Sequence, residues 1–179
     1  MSDQKKENWI TWLALTTAAM AVFAALTTLY IGKYSAKAIL SQGQETNQWG
    51  YYQAKSIKGY LYDIQLERLE LERLTNGQKI KDVASDKREK TITHYTDTIK
   101  RYDKEKAEIK AKAEDFAKQK VIAQDRAGNY GYSLIFLQAA IMLSSVAAIT
   151  KKKPLWYFGL SMVSGWVFFF LNAIFLFYS

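Results

Sequence analysis

Three stretches without one acidic or basic side chain, Asn8–Gly32, Ala127–Thr150 and Pro154–Ser179, constrain this chain more than any motif does. Each exceeds the roughly 20 residues that a helix needs to cross a hydrocarbon core of about 30 Å. A spanning segment that carries no charge meets little penalty in lipid. Between the first two stretches lies Lys33–Arg126, which holds 20 Lys and Arg against 15 Asp and Glu. Two kinds of surface therefore alternate along one polypeptide, one suited to lipid and one to water.

The composition narrows the fold further. One proline and nine glycines in 179 residues leave little material for turns, and no cysteine is present. Disulfides and thiolate metal sites are excluded, and an all-α protein is expected. The net charge of +8 is spread over interleaved acids and bases rather than gathered in one basic block. Such interleaving reads as a solvated helix laced with ion pairs and not as a nucleic-acid surface. At the N-terminus, Lys5 and Lys6 before an apolar run, with Ala36-Lys37-Ala38 beyond it, imitate a signal peptide. The apolar run is about 25 residues, longer than a cleaved h-region, so a retained anchor is expected.

The chain divides accordingly. A polar tail (1–8) leads into a first span (9–32), then a charged helical hairpin (33–130) with arms 33–74 and 86–127 and a tip at 75–85. A second span (131–150), a short basic loop (151–154) and a third span (155–178) follow. The fold class expected is an all-α membrane protein, with a long antiparallel coiled-coil hairpin inserted between its first and second transmembrane helices.

The two arms are each 42 residues, so helices of about 63 Å would match end to end, placing Ile99 near Leu61 and Ile109 near Tyr51. Asn76-Gly77 supplies a left-handed stop for the first arm, and Asp86 with Glu89 a capping box for the second. The second arm carries the clearest periodicity. Ile92, Tyr95, Ile99, Tyr102, Lys106, Ile109, Ala113, Phe116, Lys120 and Ala123 recur at steps of three and four, and eight of these ten are apolar or aromatic. On the first arm Ile57, Tyr60, Ile64, Leu71 and Leu74 follow the same spacing, interrupted by Glu67. Gly43 and Gly50 suggest kinks in the first arm, and Gly128 with Gly131 in the second.

Within the spans, Thr17, Ala21 and Ala25 form a small-residue row that lets helix backbones approach in lipid. Two readings of that row stand open, a contact with the other spans and oligomerisation. Gln138 and Asn172 are polar groups of the kind that bond across helices in lipid, while Gly159 and Gly165 give the third span a close-packing face. Aromatic side chains such as Trp9, Tyr30, Tyr130 and Trp156 sit where interfacial belts belong.

Three spans put the N-tail and Lys151-Lys152-Lys153 on one side, and the hairpin with the C-terminus on the other. Short loops dominate the positive-inside rule, so the N-terminus is expected in the cytoplasm and the hairpin outside it. Lys33, Lys37, Lys118, Lys120 and Arg126 oppose that assignment.

The segment Gln48-Trp49-Gly50-Tyr51-Tyr52-Gln53-Ala54-Lys55-Ser56-Ile57-Lys58 resembles the signature of a bacterial membrane family catalogued as domain of unknown function DUF4337. Leu13–Thr17, Tyr102–Ala113, Phe136-Leu137-Gln138 and Lys151–Tyr157 are similar to it as well. The N-tail is shorter than in that family's pattern, and Gln119–Arg126 lacks its histidine. The resemblance implies a three-span envelope protein in bacteria and implies no activity; the inner membrane is the expected location. The Trp49–Lys58 patch reads as a packing knot between arms or subunits rather than a ligand site.

Catalytic chemistry has little to draw on. One histidine, His94, excludes any site needing two, and no Gly-rich phosphate loop or metal-ligand spacing occurs. Glu67, Glu70 and Glu72 lie beside Arg68 and Arg73 and read as partners in surface ion pairs. No catalytic, cofactor-binding or metal-binding residue is expected, no cofactor, and no enzyme. The expected function is structural: a self-associating membrane protein whose hairpin engages other copies or a protein partner. Interaction residues would be Trp49, Tyr51, Tyr52, Lys55, Ile57, Lys58, Ile92, Tyr95, Ile99, Tyr102, Ile109 and Phe116. The alternatives are an oligomeric channel lined by Ser, Thr, Asn and Gln, and an accessory or sensor subunit that binds a soluble partner.

Overall fold

The structure, a computed structural model, describes residues 2–75 and 83–178, with side chains for 9–75 and 86–178. It consists of three helices, α1 (Ser2–Thr75), α2 (Val83–Thr150) and α3 (Lys153–Phe175). No strand occurs among the described residues. Each helix holds a segment long and apolar enough to cross a membrane, as a multi-pass membrane protein requires. The two long helices persist for 74 and 68 residues because neither contains a proline to remove a backbone donor. Helix runs unbroken through Gly43, Gly50, Gly128 and Gly131, the positions that suggested kinks. Asn76-Gly77 lies outside the described residues.

α2 is already helical at Val83, three residues before the expected capping box at Asp86. Asp86 sits inside the first turn, where a carboxylate meets the positive end of the helix dipole. Its Oδ2 accepts a hydrogen bond from Lys90 Nζ at 2.8 Å. An i,i+4 ion pair along the helix has taken the place of the cap.

The residues fall into two units, 1–40 with 119–179, and 41–118. In the first unit α2 runs antiparallel to α3. A side chain at Gly159 would press on the Ala140 carbonyl at 3.1 Å, and one at Gly165 would enter the Phe136 ring at 2.6 Å. Those glycines let the two backbones close up. Two indoles join α3 to α1: Trp156 Nε1 donates to Thr16 Oγ1 and Trp166 Nε1 to Thr27 Oγ1, each at 3.2 Å. Met20, Leu137 and Ala140 form a small apolar centre. The outward side chains are larger; Trp12, Val22, Leu29 and Ile149 are all more than half exposed.

Short connections finish this unit. Lys151 turns the chain with φ 54°, and Pro154 stands in the first turn of α3, where its missing N–H costs nothing. At the far end Leu176 is left-handed, and its N–H returns to the Asn172 carbonyl at 2.7 Å. That is a left-handed helix stop made without glycine.

In the second unit the α1 and α2 segments are antiparallel. The Tyr62 ring lies 5.2 Å from Tyr95 and 5.8 Å from Tyr102, while Lys55 pairs with Glu105. Lys55 with Glu105 belongs to the same register as Leu61 with Ile99, six residues further along each arm.

Candidate functional site

The contact between these two segments is built from polar and aromatic side chains. Lys55 donates to Glu105 Oε2, and its ammonium lies 4.9 Å from the centre of the Tyr102 ring. Arg101 reaches the other carboxylate oxygen at 3.7 Å. The hydrogen bond from Lys55 holds the Glu105 carboxyl below the usual carboxylate range, against the opposing pull of desolvation. One residue on, Lys106 donates to Asp103 at 2.8 Å, and that bond raises the lysine above its ordinary value. Beside the ion pair runs an open groove of about 410 Å³ lined by Lys58, Leu61, Tyr62, Gln65, Tyr95 and Tyr102.

Phenols and one ammonium can hold a partner's polar or aromatic groups. Among the described residues no three His, Asp or Glu are gathered closely enough to hold a metal ion. His94 is exposed, its ring 6.1 Å from that of Tyr95.

The second-arm row lies where its spacing puts it. Ile92, Tyr95, Ile99, Tyr102, Ile109 and Phe116 are half-buried, and Ala113 is buried. Thr98, at 5 % exposure, and Glu105 show that the contact is centred slightly to one side of that row.

The first arm differs from its apolar pattern. Ile57, Tyr60, Ile64, Leu71 and Leu74 are 57–75 % exposed, so they are not the row that meets α2. The covered row is Ser41, Glu45, Gln48, Tyr52, Lys55, Gly59, Tyr62, Leu66 and Leu69. At 100° per residue it occupies the opposite side of the helix. Lys55 finds its acid on that row, and Tyr62 meets Tyr95 and Tyr102 there. A charge pair and ring contacts have overruled aliphatic hydrophobicity in choosing the inner face.

The Trp49–Lys58 patch is split by this geometry. Tyr52 and Lys55 turn inward, Trp49 packs edge-on against Tyr52 at 5.7 Å, and Tyr51, Ile57 and Lys58 are exposed.

In the first unit Thr17 bonds to its own helix at Leu13, while Ala21 and Ala25 are exposed. The small-residue row is therefore not the face that packs within the chain; Leu13, Met20 and Thr27 are buried instead. Gln138 is also exposed, between Ile135 and Met142. Asn172 is wholly buried. Its amide nitrogen donates to Asn129 Oδ1 at 2.7 Å and to the Tyr178 carbonyl at 2.8 Å, and its oxygen accepts from the Tyr178 N–H. Tyr34 accepts from Arg126 at 3.0 Å, and Tyr30 and Tyr34 both stack on Tyr130.

Sequence reasoning missed Tyr62, Glu105, Asn129 and Arg126. Tyr62 had a usable signal, since it lies one heptad beyond Lys55, which itself follows Tyr52 by three residues.

The family described as Domain of unknown function (DUF4337) matches residues 9–176. No curated protein and no solved structure matches the chain.

Proposed function

The chain belongs to the DUF4337 family, and from that premise we propose a non-enzymatic, self-associating protein of the bacterial inner membrane. Its three apolar helices cross the bilayer, and its charged arms form a coiled-coil hairpin that serves as a scaffold outside the cytoplasm. The aromatic side chains support the span assignment. Trp9 and Tyr30 are 21 residues apart on α1, about 32 Å of helix, close to the thickness of a hydrocarbon core. The tri-lysine turn at Lys151–Lys153 supports the orientation.

The observation that carries self-association is the exposed Gln138 in the middle of the apolar part of α2. A primary amide facing lipid leaves two donors and an oxygen without water, and the same amide on a neighbouring copy satisfies both sides at once. Such bonds are worth about 0.6–2 kcal/mol each. The exposed Ala21 and Ala25 give α1 a second face that another helix could approach closely.

Amine-reactive crosslinking in native membranes tests the proposal. Dimers or larger species are expected, with Gln138→Leu lowering their yield several-fold. A product that stays monomeric at every crosslinker length overturns self-association.

A further inference from the structure

Ile57, Tyr60, Ile64, Leu71 and Leu74 form an apolar stripe, each residue more than half exposed. It lies on the side of α1 opposite the row that meets α2. The segment around it, 41–118, carries 16 basic and 14 acidic residues, so lipid cannot be the solvent for this stripe. An apolar face of this length in water, interrupted by Glu67 alone, marks an interaction surface. Its spacing is that of a heptad, with Ile57, Ile64 and Leu71 at one seam position and Tyr60, Glu67 and Leu74 at the other.

We propose that this face of α1, from Ile57 to Leu74, docks in parallel and in register against the same face of a second copy of the chain. The proposal rests on the membrane reading above, because copies inserted in one bilayer with one orientation present the face in parallel.

Charge selects this occupant. Asp63 and Glu70 flank the seam on one side and Arg68 on the other. In a parallel pair a flanking residue faces the one five positions on in its neighbour, so Asp63 meets Arg68 twice. Glu67, the residue that breaks the apolar row, faces its own copy across the seam, and the neighbour's Arg68 beside each carboxylate offsets that repulsion. An antiparallel pair sets Asp63 and Glu70 against each other and repels. Arg68 is available for the exchange; its side chain is 72 % exposed and pairs with Glu72 at 3.3 Å along its own helix. Confinement to one membrane raises the effective concentration, so a short seam suffices.

The chain has no cysteine, so single replacements report on otherwise unchanged full-length protein. In native membranes under mild oxidation, Ile57→Cys, Ile64→Cys and Leu71→Cys should each pair with itself in most molecules. Lys104→Cys, on an exposed side of α2, should pair at less than a tenth of that yield. Asp63→Arg should cut Ile64→Cys pairing at least five-fold, and adding Arg68→Asp should restore it. Absence of self-pairing while amine crosslinking still gives multimers overturns this interface and leaves the membrane scaffold standing. Mixed pairing of Ile57→Cys with Leu71→Cys in place of self-pairing overturns the parallel arrangement, and a disulfide to a different protein overturns the choice of partner. A protein that is monomeric in both assays removes both readings.

Discussion

Val22 and Ile64 stand on the same helix, and each leaves 60 % of its surface uncovered. Val22 belongs to the apolar unit, where outward-facing Leu15, Leu29 and Ile149 are the rule. Ile64 belongs to a unit crowded with charge, where large apolar side chains facing outward are an anomaly. Equal exposure thus has two meanings. In lipid an uncovered aliphatic side chain is already solvated; in water it is an unfinished contact. Burial cannot be scored until the solvent is known.

Five substitutions would break or sharpen this contrast. The largest effect is expected from Val22→Lys, which places a charge near the middle of the first span at a cost of about 3 kcal/mol. Retention of the protein in carbonate-washed membranes should fall, whereas Ile64→Lys should leave retention unchanged and weaken only association. Equal behaviour of the two variants would erase the distinction.

Asn172→Leu comes next. It strands the Asn129 oxygen and both backbone groups of Tyr178, and should cost about 2 kcal/mol in detergent unfolding titrations. Gly165→Ala should cost about 1 kcal/mol, since the new methyl meets a Phe136 ring that is itself stacked on Phe169. Both losses belong to the apolar unit, and the Lys55–Glu105 contact should survive them.

The smallest effect concerns acid. Glu105 is held below its ordinary value in the folded state, mainly by the hydrogen bond from Lys55. Its contribution is complete above the unfolded carboxylate value of about 4.3 and is lost as pH falls through the lowered folded value. Glu105→Gln should therefore show a smaller loss of helix stability between pH 7 and pH 3 than the parent protein. Thermal melts followed by circular dichroism would read the difference.

The three apolar helices were legible because a run without charge declares itself residue by residue, with no need to know its neighbours. The register of the two charged segments was legible as well, since equal lengths left one natural pairing, and Lys55 with Glu105 conforms to it. The inner face of the first arm was not legible. Choosing it by hydrophobicity selected Ile57 and Ile64, while the contact depends on where Lys55 finds its acid and where Tyr62 meets Tyr95 and Tyr102. Polar residues in the spans were visible, but their roles were not. Asn172 turned out to be buried because Asn129 and the returning chain at Tyr178 satisfy it, whereas Gln138, chemically similar, faces outward. Only geometry separates those two fates.

The antiparallel contact between Lys55 and Glu105, and between Tyr62 and Tyr95, also limits how this protein can evolve in length. One residue inserted in either arm turns everything beyond it by about 100° and carries one partner of each pair out of reach. Deletions are tolerated only as matched losses from both arms, in blocks of seven that return every side chain to its bearing. Size in such a molecule is quantised, and its relatives should differ by whole heptads removed in equal number from both arms.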